Sequence, residues 1–164
     1  MPDKEGQNKN KTSEEEYFMR QALREARKAY QKEEVPVGAV IVQGGEIVSR
    51  GHNQKEKGQD PTLHAEIIAL KKAAKMLSSW RLAECTMYVT LEPCLMCAGA
   101  LLQTRIKELV FGAYDNKAGA CGSLYNILQD QRMNHNVEIT SNVLPEESKN
   151  LLQSFFKELR ERKN

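Results

Sequence analysis

No stretch of the 164-residue chain approaches the roughly 18 consecutive apolar residues of a membrane helix, so a transmembrane reading is excluded. The first 16 residues are polar and charged and lack the apolar centre of a secretory signal, so a cytoplasmic location is expected. Cysteine is scarce, with four residues. Without an export signal these read as reduced thiols, open to ligation or nucleophilic chemistry rather than tied into a disulfide framework. Excess charge is also lacking. The net charge is +2 and the pI about 8.3, too mild to announce nucleic-acid binding and no argument against it. No internal repeat and no central linker divides the chain. With 40% hydrophobic and 28% charged residues, the composition is that of a globular protein of one domain, long enough to bury a real core.

Residues 1–12 contain no periodic apolar residue and are expected to be a disordered polar tail, with the domain over 13–164. Ser13 and Glu16 fit a capping box. Phe18, Ala22, Ala26 and Tyr30 recur every four residues and predict an amphipathic helix to about Lys32. Val37–Val42 and Ile47–Gly51 predict two strands joined by Gly44-Gly45, a pair suited to the positive φ angles of a tight hairpin. Residues 54–62 read as a loop, 64–77 as a helix, and 87–91 as a strand buried on both faces. A helix over 94–103, a strand over 109–113, a helix near 124–130 and a strand over 137–140 follow. Pro145 opens a last helix with Leu151, Phe155 and Leu159 on one stripe. The alternation of helices and strands predicts an α/β domain with a mixed five-stranded sheet and helices on both faces.

The residues with chemical potential fall into two short segments. Pro93-Cys94-Leu95-Met96-Cys97 follows a buried strand and opens a helix, where the helix dipole favours thiolates. Taken alone, such a Cys pair fits a redox couple, two buried thiols or two metal ligands. His64-Ala65-Glu66 also opens a helix. One imidazole and two thiolates together suit Zn²⁺ and leave its fourth tetrahedral position open, the mark of a catalytic rather than a structural zinc. Glu66, two residues from His64, is placed to move the proton of an activated water. Cys85 and Cys121 read as a core thiol and a loop residue; either one as a fourth ligand would close the site. His52 and His135 have no assigned role beyond a solvent or supporting one.

His-x-Glu followed by Pro-Cys-x-x-Cys is an established signature of zinc deaminases acting on bases, and at these residues the chain resembles the zinc-dependent nucleoside and nucleobase deaminases. Further segments resemble the bacterial tRNA-specific adenosine deaminases within that superfamily. They are Glu34–Ala39, Gly51-His52-Asn53, Ser79–Leu82, Tyr88–Gly99, the stretch Phe111–Leu124, Met133–His135, and Phe155-Phe156 with the basic tail. The resemblance covers about residues 15–162. It implies a three-layer α-β-α cytidine-deaminase-like fold and one zinc per chain, held by His64, Cys94 and Cys97. It implies deamination of adenosine to inosine at the wobble position of an arginine tRNA anticodon. In that chemistry Glu66 takes a proton from the zinc-bound water, hydroxide adds at C6, N1 is protonated and ammonia leaves.

The resemblance further assigns Asn53 and Ala65 to the purine, and Asp115, Asn116, Lys117, Phe156 and Arg160 to the RNA of an anticodon stem-loop. Lys157, Arg162 and Lys163 join them as phosphate partners. It also implies a homodimer whose RNA surface draws on both subunits. Residue by residue, plainer readings stand beside these: Asn53 as a turn former, Phe155 and Phe156 as packing residues, and the basic tail as a solvated helix face. Other functions fit the core motif too. These are a free guanine, cytosine or nucleotide deaminase, a non-catalytic zinc-stabilised RNA-binding module, and a thiol redox protein.

Overall fold

The computed structural model describes the backbone of residues 4–163 and the side chains of 10–163. Helix α1 (Lys4–Gln31) is followed by strands β1 (Gly38–Gln43) and β2 (Glu46–His52), the short helix α2 (Lys55–Gly58) and helix α3 (Ala65–Met76). Strand β3 (Cys85–Leu91), helix α4 (Leu95–Gln103), strands β4 (Glu108–Ala113) and β5 (Glu138–Thr140) and helix α5 (Pro145–Arg162) complete the chain. The five strands form one mixed sheet in the order β2-β1-β3-β4-β5. Strand β1 is antiparallel to both neighbours, and β3, β4 and β5 run parallel.

Strand periodicity sorts the core into two layers. Ala39, Ile41, Met87, Val89, Leu109 and Phe111 face α3 and α4, where Ala65, Ala69, Leu101 and Leu102 meet them. Val40, Val42, Tyr88 and Val110 face the other way, onto Phe18, Met19, Ala22 and Leu23 of α1 and Leu151 of α5. This is the expected three-layer α/β architecture. Gly44 and Gly45, at φ +58° and +79°, make the β1–β2 hairpin turn, the pair of left-handed residues a two-residue hairpin demands. Among the described residues, no helix is long and apolar enough to cross a membrane.

Three local expectations differ from what the chain does. Helix α1 begins at Lys4, so Ser13 lies inside it and is no cap; residues 4–12 of the expected tail are its first turns, and residues 1–3 lie outside the described residues. A charged segment without apolar periodicity still propagates a helix once the downstream turns are nucleated by packing. The expected loop 54–62 contains α2, whose amides at Glu56 and Lys57 are capped by the distant carboxylate of Glu34 at 3.2 and 2.8 Å. The expected helix over 124–130 reduces to one 3-10 turn at Ile127–Gln129. Leu124 and Tyr125 both donate back to the carbonyl of Gly119, Ile127 donates to Ala120, and Cys121 bridges to Asn126, so the segment is held in turns closed on the preceding loop.

Beneath α1 lies a buried polar pair. Glu25, 3% exposed, accepts from Lys28 Nζ at 2.7 Å and from His52 Nδ1 at 3.2 Å, while His52 Nε2 lies 3.2 Å from Lys32 Nζ. Burial lowers the His52 pKa, helped by Lys32 and Lys28 and opposed by Glu25. His52 is therefore neutral in the fold where the unfolded chain already binds a proton. Its contribution to stability is complete above the ordinary histidine pKa and declines as pH falls through it. Burial opposes ionisation of Glu25, but hydrogen bonds from Lys28 and His52 outweigh it and lower that pKa, so Glu25 loses its contribution only below the ordinary carboxylate range. Thermal melting should thus fall between about pH 7.5 and about pH 5.5, and fall less in His52→Gln; equal slopes would contradict this assignment.

Candidate active site

Two helix starts carry the central cluster. His64 and Cys94 occupy the N-cap positions of α3 and α4, both with extended backbones, at φ −77°, ψ 153° and φ −74°, ψ 177°. Neither side chain caps its own helix. They turn to each other instead: His64 Nδ1 lies 3.6 Å from Cys94 Sγ and 3.5 Å from Cys97 Sγ, one turn further along α4. Gly51 makes the placement of α3 possible, because a Cβ there would stand 2.5 Å from the carbonyl oxygen of Ala65.

The three donor atoms lie within 4.8 Å of one another and can hold a metal ion. Tetrahedral zinc, with bonds of about 2.3 Å to sulfur and 2.0–2.1 Å to nitrogen, keeps such donors about 3.6 Å apart. The observed separations therefore fit without rearrangement. Cys85 and Cys121 take no part among the described residues. Cys85 is buried at the start of β3, and the Cys121 thiol faces the Pro93 carbonyl at 3.9 Å. Three protein donors leave one tetrahedral position for a ligand that is not protein.

The electrostatics match that donor set. The Cys97 thiol donates to Cys94 and, with His64, holds Cys94 at a pKa of about 4. The same contact and burial push Cys97 upward. The two sulfurs thus share a proton that an entering cation would displace. Cys94 in turn raises the His64 pKa. Glu66, in the first turn of α3, is 4% exposed, and burial raises its pKa against the pull of its own backbone amide and of His64.

A cavity of about 200 Å³ opens beside the cluster. Val35, Val37, Asn53 and Lys55 line one side, His64, Ala65, Glu66 and Cys94 the floor, and Leu91, Glu92, Asp115 and Ala118 the rest. Of the expected site residues, His64, Ala65, Glu66, Cys94, Asn53 and Asp115 come together here, with Cys97 beneath. Asn53 is also a turn former: its Oδ1 accepts from the Lys55 amide at 3.2 Å and its Nδ2 donates to the Val35 carbonyl at 3.3 Å. Asn116 and Lys117 are exposed on the adjoining loop, outside the cavity wall. Phe156, 41% exposed, packs edge-on to Phe155 on α5, and Arg160 is exposed near the end of that helix; neither lines the cavity. His135 is a structural residue, its Nε2 bonding the Ile106 carbonyl at 2.7 Å.

Two carboxylates around the cavity lie in segments that carry the resemblance, but sequence reasoning gave them no role. Glu34 caps α2, and Glu92, only 2% exposed, collects the amides of Asp115, Cys121 and Ser123, each at 3.0 Å. Their partners stand 22 to 31 residues away, so no local pattern marks them.

A profile of MafB19-like deaminases matches residues 12–160. The tRNA-specific adenosine deaminase of Bacillus subtilis is 49% identical over 151 residues, 92% of this chain and 94% of that protein. Its counterpart in Aquifex aeolicus is 50% identical over 145 residues, 88% and 95%. The chain belongs to the tRNA-specific adenosine deaminase family. In structure it superposes on a chain from work on A-to-I editing by tRNA:A34 deaminases at the wobble position of transfer RNA. The TM-score is 0.80 and the identity 40%, over 83% of this chain and 99% of the other.

Elemental analysis of this family member should find one zinc per chain, retained in Cys121→Ser and lost in Cys97→Ser. Retention in Cys97→Ser, or loss in Cys121→Ser, would contradict the three-donor site.

Proposed function

We propose that the protein hydrolyses adenosine to inosine at the wobble position of a tRNA anticodon, with an arginine tRNA as the expected substrate. The observation that carries the reading is the convergence of a three-donor metal cluster and a buried carboxylic acid on the floor of one small cavity. The relatives support the substrate class, since they are named for the same reaction on tRNA. Cavity size supports it as well. About 200 Å³ lies below the roughly 300–1,000 Å³ of pockets for drug-sized ligands, and suits one planar ring splayed out of a loop.

His64, Cys94 and Cys97 would hold zinc, which when bound lowers the pKa of a coordinated water to near 7 and so supplies the nucleophile. Glu66 performs the proton transfers. Its buried carboxylate takes a proton from the attacking water, delivers it to N1 as C6 is attacked, and passes the second proton to the departing amine, which leaves as ammonia. Because burial favours its neutral form, Glu66 holds the proton readily between transfers. Asn53 spends one Nδ2 proton on Val35 and keeps the other for a purine ring nitrogen. Helix α5 reaches the same rim, because Arg162 pairs with Glu33, two residues before the cavity-lining Val35. Arg160 and Lys163, with Lys117 on the 115–123 loop, are phosphate partners for the anticodon stem-loop.

The protein also works as a homodimer in this reading. Leu95, Met96, Leu124 and Tyr125 are 54%, 37%, 54% and 59% exposed, on α4 and on the segment leading into the 3-10 turn that packs against α4. Such an apolar face marks a protein contact, and a second copy is its occupant here. Leu95 directly follows Cys94, so the contact borders the metal cluster.

Position-resolved sequencing of an anticodon stem-loop after incubation should read A-to-G at the wobble site only. Glu66→Gln should reduce turnover by at least about 10²-fold while keeping zinc and stem-loop binding. Turnover of free guanine or cytosine without the stem-loop would overturn the substrate; undiminished turnover in Glu66→Gln would overturn the mechanism. In sedimentation, wild type should run as a dimer and Leu95→Glu as a monomer; a monomeric wild type would remove the dimer.

A further inference from the structure

We propose that Glu92 is a positioning residue that fixes the 115–123 loop as one wall of the base cavity. This rests on the deamination reading above. Glu92 immediately precedes Pro93-Cys94, so its backbone moves with a metal ligand. Its side chain, 2% exposed, is spent entirely on the opposite loop. Oε1 accepts from the Asp115 amide at 3.0 Å and from the Ser123 hydroxyl in a short contact. Oε2 accepts from the amides of Cys121 and Ser123, both at 3.0 Å. Two carboxylate oxygens offer about four acceptor positions, and four donors converge on them.

The loop is shaped to receive this carboxylate. A Cβ at Gly119 would collide with it, so the loop backbone closes directly over the side chain. Backbone pairing adds to the clasp: Ala120 donates to the Pro93 carbonyl at 2.9 Å, and Gly119 bridges to Cys94. Asp115, once held by Glu92, uses its own Oδ1 to cap the amides of Lys117 and Ala118 at 3.0 and 3.2 Å. One buried carboxylate therefore sets where Asp115 and Ala118 stand in the cavity wall, and where Asn116 and Lys117 are presented to solvent. Glutamine cannot replace it, because an amide nitrogen would face N–H donors.

A residue that only stabilises the fold lowers the active fraction and so kcat, at unchanged KM. A residue that positions a substrate-binding wall raises KM, with kcat less affected. In the zinc-loaded full chain acting on an anticodon stem-loop, Glu92→Gln should raise KM by at least about tenfold, and Ser123→Ala by about threefold, with kcat in both within about threefold. Zinc should remain at one per chain, and proteolytic cleavage within 115–123 should accelerate in both variants. Ser123→Ala keeps three of the four bonds and serves if Glu92→Gln does not fold. Unchanged KM with unchanged loop cleavage would overturn the proposal, as would a loss confined to kcat. If wild type itself does not act on the stem-loop, the deamination reading fails. Loop cleavage then decides about Glu92 alone: acceleration supports the clasp and an unchanged rate rejects it.

Discussion

The site depends on two helix N-termini being brought to one edge of the sheet with their N-cap side chains free. At most helix starts a polar N-cap side chain turns back onto the helix's own amides. Here imidazole and thiolate stand in those positions, do not cap, and meet each other 3.6 Å apart. The positive end of α4, with the Cys97 thiol and His64, then favours the thiolate form of Cys94 before any cation arrives, while Cys97 keeps its proton.

Sheet topology makes the meeting possible. Strands β2 and β3 are not neighbours; β1 lies between them and is antiparallel to both, so β2 and β3 run the same way and end at the same edge. The chain leaving β2 turns back through the 53–64 segment before starting α3, and Glu34 and Asn53 tie that segment down. The chain leaving β3 needs only Glu92 and Pro93 to reach Cys94. Gly51 lets the start of α3 sit directly on the end of β2, which brings His64 within reach of both sulfurs.

Legibility in the sequence followed the range of the interactions. The β1–β2 hairpin was written in Gly44-Gly45, the helix start near His64 in the apolar face that follows a polar loop, and the one at Cys94 in Pro93 ending the strand before it. The grouping of His64, Cys94 and Cys97 could be read because ligand chemistry restricts the residue types at fixed spacing, with Glu66 two residues from His64; Ala65 entered only through the resemblance. Glu34 and Glu92 could not be read, because a glutamate that caps a loop 20 or 30 residues away looks like any other glutamate. The start of α1 and the lost helix at 124–130 failed for a related reason. In the first, tertiary packing nucleates turns that have no apolar pattern of their own; in the second, hydrogen bonds back to Gly119 and Ala120 hold the segment in turns. Asn53 is the turn former that one reading made of it, and it also lines the cavity.

The central claim, a preorganised site with two sulfurs, one imidazole and one position left for substrate chemistry, is tested most directly by X-ray absorption at the zinc edge of the loaded protein. The account predicts two sulfur scatterers at about 2.3 Å and two nitrogen or oxygen scatterers at about 2.0–2.1 Å per zinc. Three or four sulfurs, drawing in Cys121 or Cys85, would mean a closed structural zinc and would contradict it.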